Sequence, residues 1–150
     1  MKKFVKLPVL FCLFLVFLVI SPVIAHSSDQ PHQVNIYFFW GDGCPHCAAE
    51  KPFLESLVEK YPQVKLNAYE VYYNESNREL FKKFGDALNF EPRAVPTTII
   101  GDQYWVGYIE EYQVEMEAAV QNCVSSPCEV DPGAIVFSES EQEKGQEKHG

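Results

Sequence analysis

Cys44-Pro45-His46-Cys47 sets two thiols three positions apart, directly behind the apolar run Val34 to Phe39 and the turn residues Gly41-Asp42-Gly43. Cysteines at this spacing can close a structural cross-link, supply half of a zinc site, or exchange disulfides with another molecule. The elements that must position them favour the third. Val34 to Phe39 is a continuous apolar run of strand length ended by glycines, which predicts a buried strand. A helix follows, with Pro45 in its first turn, Cys47, Leu54, Leu57, Val58 and Tyr61 on one face, and Lys60 near its end before Pro62. Pro52, inside that helix, predicts a kink, because it lacks an N–H and clashes with the carbonyl four residues back. Cys44 then stands at a helix N-terminus, where unpaired backbone N–H groups and the positive end of the dipole stabilise a thiolate, the attacking species in exchange. His46 is expected to tune that thiolate, and Cys47, one turn in, to be the more buried, resolving partner. An easily ionised Cys44 is a better leaving group and makes the Cys44–Cys47 disulfide more oxidising.

The rest of the pattern supplies the frame. Val64 to Val71 alternates as a second strand. Ser76-Asn77-Arg78-Glu79 reads as a capping box opening a helix with Leu80, Phe81, Phe84 and Leu88 inward. Thr97 to Ile100 and Tyr104 to Val106 flank Gly-Asp-Gln as a hairpin. Ile109 to about Cys123 forms the last helix, with Glu110 and Glu111 in its positive first turn. The order βαβαββα, with one parallel crossover and one hairpin, predicts an α/β three-layer sandwich on a four-stranded mixed sheet.

Residues 1–25 have the form of a secretory leader: Lys2, Lys3 and Lys6, an apolar stretch from Leu7 to Ile20, and small residues before a cut at Ala25. The alternative is an uncleaved membrane anchor over residues 4–24. Either way the remainder is exported, to the periplasm or another extracytoplasmic space, where disulfides persist. Cys12 falls within the leader, leaving Cys44, Cys47, Cys123 and Cys128. The net charge of −9 becomes −12 without the leader, nine basic against twenty-one acidic residues, which argues against a nucleic-acid partner. Residues 34–124 form the expected domain, residues 125–137 an extension, and residues 138–150 a disordered acidic tail.

These residues resemble the thioredoxin superfamily over roughly Val34 to Val124. The resemblance rests on CPHC at a helix start, Pro52 five residues beyond, Val95-Pro96-Thr97 before the third strand, and Gly107 after the fourth. It implies a cis Val95–Pro96 bond facing the disulfide, and a client segment pairing with the backbone of Val95. Pro45-His46 looks like the dipeptide of the Dsb oxidases, and the compact stretch from Val95 to Tyr108 is similar to glutaredoxins. Two departures stand out. Where the family often buries an acid, six residues before the first cysteine, this chain has Phe38, so the proton of Cys47 falls to Glu50 or water. The chain also has no room for the large helical insertion of the Dsb oxidases.

The expectation is an exported thiol-disulfide oxidoreductase acting on protein thiols. Cys44, Cys47, His46 and Pro45 are its catalytic residues. Val95, Pro96, Thr97, Gly107 and Trp40 are its substrate-binding residues, with Tyr104 and Trp105 as further candidates for an apolar rim. It needs no organic cofactor beyond the Cys44–Cys47 disulfide, and a membrane redox partner is expected to recharge it. Cys123 and Cys128 close a short loop as a structural staple or serve as a second redox pair. Joined to the first pair they would form a zinc site instead. The rival function is a non-enzymatic carrier holding copper or zinc on the CPHC thiolates.

Overall fold

The computed structural model describes residues 32–138, so the expected leader with Cys12, and the expected tail beyond Ser138, lie outside the described residues. Its elements run β1 (Val34–Trp40), α1 (Pro45–Lys60), β2 (Val64–Glu70), α2 (Glu75–Leu88), β3 (Thr97–Ile100), β4 (Gln103–Val106) and α3 (Tyr112–Ser125), the order expected. The sheet order is β2-β1-β3-β4. β1 lies parallel to β2 and antiparallel to β3, with Phe38 opposite Ala68 on one side and Thr98 on the other. β4 closes the hairpin antiparallel to β3, with Ile100 opposite Gln103. Gly101, at φ 60°, takes the first central position of that two-residue turn, where a side chain would be strained.

Alternation along β1 divides the core. Ile36 and Phe38 face α1 and α3, packing with Leu54, Leu57, Met116 and Val120. Tyr37 and Phe39 face the other way, onto Phe81 and Phe84 of α2. Phe39 stacks on Phe81 with ring centroids 4.4 Å apart and meets Phe84 edge-on. Each such buried ring contributes about 1.5–3 kcal/mol through removal from water, so strand β1, buried on both faces, is the centre of the molecule.

Two helix starts differ from expectation. Helix α2 is capped two residues earlier than expected, at Asn74 in place of Ser76, and the Asn74 side chain accepts the N–H of Asn77. Helix α3 begins at Tyr112 after a turn in which Tyr112 and Gln113 donate to Ile109 and Glu110; Glu115, rather than Glu110 or Glu111, is its first-turn acid. Helix α1 continues through Pro52 to Lys60. Residues 132–138, read from sequence as extension and tail, are helical. Asp131 fastens them. Its carboxylate accepts from Tyr37 Oη at 2.7 Å, Asn35 Nδ2 at 2.9 Å and the backbone N–H of Gly133 at 3.0 Å, and Val136 is buried in the α2-side core. Burial, followed by the bond to this carboxylate, drives the Tyr37 hydroxyl far above its ordinary pKa. Among the described residues no helix is long and apolar enough to cross a membrane.

Candidate active site

Strand β1 delivers the chain to Gly41-Asp42-Gly43, and the helix starts at once behind it. Cys44 is the N-cap of α1. Its Sγ accepts the N–H of Cys47 at 3.2 Å, so the sulfur itself occupies the place of a capping oxygen. Cys44 and Cys47 are joined as a disulfide. Cys44 is half-buried and Cys47 is 3% exposed, so an incoming thiolate has access to the first sulfur and little to the second. Pro45 and His46 are exposed at the first turn.

The Val95–Pro96 bond is cis, and the carbonyl oxygen of Val95 lies 3.9 Å from Cys44 Sγ. Gly107, at φ 77°, donates its N–H to the Pro96 carbonyl at 2.8 Å and so ties the end of β4 to this loop. Thr97 is fully buried, its hydroxyl donating to Ala94 at 2.8 Å, so its side chain braces the loop from below and does not face a client. Trp40 is half-buried at the end of β1, packed against the same core as Cys44. Trp105 belongs to the core, with Nε1 donating to Glu115 at 2.9 Å, and Tyr104 stacks on Phe90 at 4.4 Å. Trp105 is thus a core residue, whereas Tyr104 is exposed.

Two acidic residues organise the site without having stood out as core. Glu50 lies on the buried face of α1, one turn beyond Cys47, and is 0% exposed. Thr98 Oγ1 donates to its Oε1 at 2.5 Å, while its Oε2 is buried with no partner. Burial raises its pKa to about 7, against the lowering effect of the Thr98 bond. Thr98 sits opposite Phe38, so α1 brings a carboxyl to the strand position beside Phe38. The sequence signal was the spacing, since Glu50 stands between Cys47 and Leu54 on the apolar face; Thr98 carried none.

Glu70, at the end of β2, accepts backbone N–H groups from Tyr72 at 2.7 Å, Tyr73 at 3.0 Å, Asn74 at 3.2 Å and Asp42 at 3.3 Å. Desolvation raises its pKa, but these four donors outweigh it and hold the carboxyl below its usual range. The ring of Tyr72 lies over Gly41, where any Cβ would come within 2.4 Å of it. The loop after β2 is thereby fixed to the turn that carries the cysteines.

Cys123 and Cys128 are bonded to each other, at the opposite end of β3, beside Gly101. The two pairs are therefore separate, and the described residues contain no group of three or more His, Cys, Asp or Glu side chains able to hold a metal ion.

No protein-family model matches the chain. The "Probable thiol:disulfide interchange protein DsbE-2" of Pasteurella multocida (strain Pm70) is 30% identical over 97 residues, covering 53% of this chain and 48% of that protein. The chain thus spans about half the length of the curated relative it matches. A periplasmic thioredoxin-like protein from Salmonella enterica serovar Typhimurium is 16% identical with a TM-score of 0.45, over 65% of this chain and 87% of that one. Mitochondrial thioredoxin 3 from Saccharomyces cerevisiae is 19% identical with a TM-score of 0.45, over 61% and 79%. The sheet order, the helix-capping CPHC pair and the cis proline beside the first cysteine are the features on which the chain's resemblance to the thioredoxin superfamily rests.

Proposed function

We propose that this protein is an exported thiol-disulfide oxidoreductase that exchanges disulfides with protein thiols through Cys44 and Cys47. The observation that carries the reading is the placement of Cys44 Sγ at the N-cap of α1, 3.9 Å from the Val95 carbonyl. An extended client segment hydrogen-bonded to the Val95 backbone would hold its own sulfur beside Cys44.

In the oxidising direction a client thiolate attacks Cys44 Sγ. A client–Cys44 disulfide forms as the Cys44–Cys47 bond breaks, and the electron pair leaves on Cys47. Glu50, protonated over much of the neutral range, gives its proton to this buried thiolate, directly or through one water. A second client thiolate then attacks the client sulfur of the mixed disulfide, and Cys44 departs as a thiolate held by the amides of α1. The client gains a disulfide and the protein is left with two reduced cysteines, a transfer of two electrons. In reverse, the Glu50 carboxylate takes the proton of Cys47 as that sulfur attacks.

Pro45-His46 tilts the reading towards disulfide donation, and the leader motif supports an extracytoplasmic location with a membrane partner to reoxidise the site. Redox titration against glutathione tests the direction: a strongly oxidising potential supports donation, and a thioredoxin-like one supports a reductase. The Cys47→Ser variant tests the roles. It should accumulate mixed disulfides with client proteins through Cys44, and trapping that survives Cys44→Ser would sink the assignment.

A further inference from the structure

Beside the Val95 end of the site lies a groove of about 270 Å³ between the loop after β2, helix α2 and the segment before the cis proline. Its floor is apolar, from Val71, Phe81 and Val95, and its rim carries Arg78, Lys82 and Arg93. Three cationic side chains and no acidic one line it, in a chain with 12 basic and 21 acidic residues. Arg78 is held in place, with Nη1 donating to the carbonyls of Tyr72 at 3.1 Å and Val71 at 3.4 Å. Lys82 pairs with Glu79 and Arg93 with Glu91, both on the exposed side. Such solvated pairs are weak and yield readily to a competing carboxylate.

Val95 is common to the groove and to the cysteine site, its carbonyl 3.9 Å from Cys44 Sγ. A strand advances about 3.3 Å per residue, so residues within about three positions of a client cysteine, on one side of it, would reach the groove. We infer that this groove selects protein clients whose reactive cysteine is flanked on that side by aspartate or glutamate beside an apolar residue, the carboxylates meeting Arg78, Lys82 and Arg93 and the apolar side chain the floor. The inference rests on the exchange reading above and adds the substrate class to it. It also gives an acidic protein local attraction for acidic clients that its overall charge would repel.

The test uses two matched peptides, each with a central cysteine, flanked by Asp and Glu in one and by Lys in the other, together with versions carrying serine in place of the cysteine. Calorimetry of the serine versions reads binding without exchange. The acidic peptide should bind about five-fold or more tightly than the basic one, the sum expected of a few solvated ion pairs, with an advantage that shrinks as salt is raised. The double variant Lys82→Glu/Arg93→Glu should erase or invert that ratio, and it leaves the backbone-anchoring Arg78 in place. Equal binding of the two peptides, or a preference untouched by the charge reversal, overturns the inference. So does tight binding of glutathione with no discrimination between peptides. The cysteine versions separate the two ideas: preferential binding without a mixed disulfide on Cys44 supports the groove and sinks the exchange reading, whereas equal exchange rates for both peptides support exchange and sink the groove.

Discussion

Thr98 donates its hydroxyl hydrogen to Oε1 of Glu50 at 2.5 Å, and the other oxygen of that carboxyl is sealed in the core with no partner. A buried acid with one unmatched oxygen is costly when charged and tolerable when protonated. It is stationed one helical turn from the sulfur whose proton must move.

Replacing Glu50 by Gln should therefore separate stability from chemistry. The native pKa of about 7 lies above the ordinary 4.5, so the folded state binds more protons between those values, and stability falls as pH rises through that window. Glu50→Gln should remove this slope and be the more stable form above pH 7, by up to about 3 kcal/mol. In the same variant, resolution of a Cys44 mixed disulfide by Cys47 should slow on the order of tenfold or more at neutral pH. Urea denaturation across pH and single-turnover kinetics read the two effects. An unchanged pH slope would show that Glu50 is not the group responsible.

The staple at Cys123 and Cys128 should matter to stability and not to exchange. Converting both to Ser frees a short loop, for which chain entropy predicts a loss of about 2 kcal/mol. Thermal unfolding of oxidised samples measures it, while the rate of exchange at Cys44, at the far end of β3, should stay as it was. A large loss of exchange with little loss of stability would favour a second redox pair.

Glu70→Gln should loosen the connection between the cysteine turn and the loop after β2, because a neutral amide cannot accept four backbone N–H groups as a carboxylate does. Hydrogen exchange at Tyr72, Tyr73 and Asn74 should quicken. Since the native pKa of Glu70 is depressed, its stabilising effect is present above the ordinary carboxyl range and is lost as pH falls through the native value, so wild type at low pH should approach the variant. Equal exchange rates in the two proteins at neutral pH would contradict this role for Glu70.

The frame was legible in the sequence because its elements carry strong local signals: the apolar run of β1, the CPHC pair before a helical face, and Gly-Asp between two short strands. What escaped was mostly polar and long-range. Nothing local marks Thr98 as the partner of Glu50, because the bond depends on α1 crossing β3. Asp131 looks like part of a loop until Tyr37 and Asn35 are brought to it, and only then do residues 132–138 have a reason to be helical against the sheet. Whether Trp105 joined a rim or the core stayed open in the sequence, because a four-residue strand shows too little alternation to say which face it presents.

The most direct test of the central claim is competitive alkylation of the reduced protein by iodoacetamide, mapped by mass spectrometry as pH is lowered. Cys44 should be modified first and should keep its reactivity at pH values where free cysteine has lost it, with Cys47 modified slowly throughout. Modification of Cys44 no faster than free cysteine, or later than Cys47, would contradict the account.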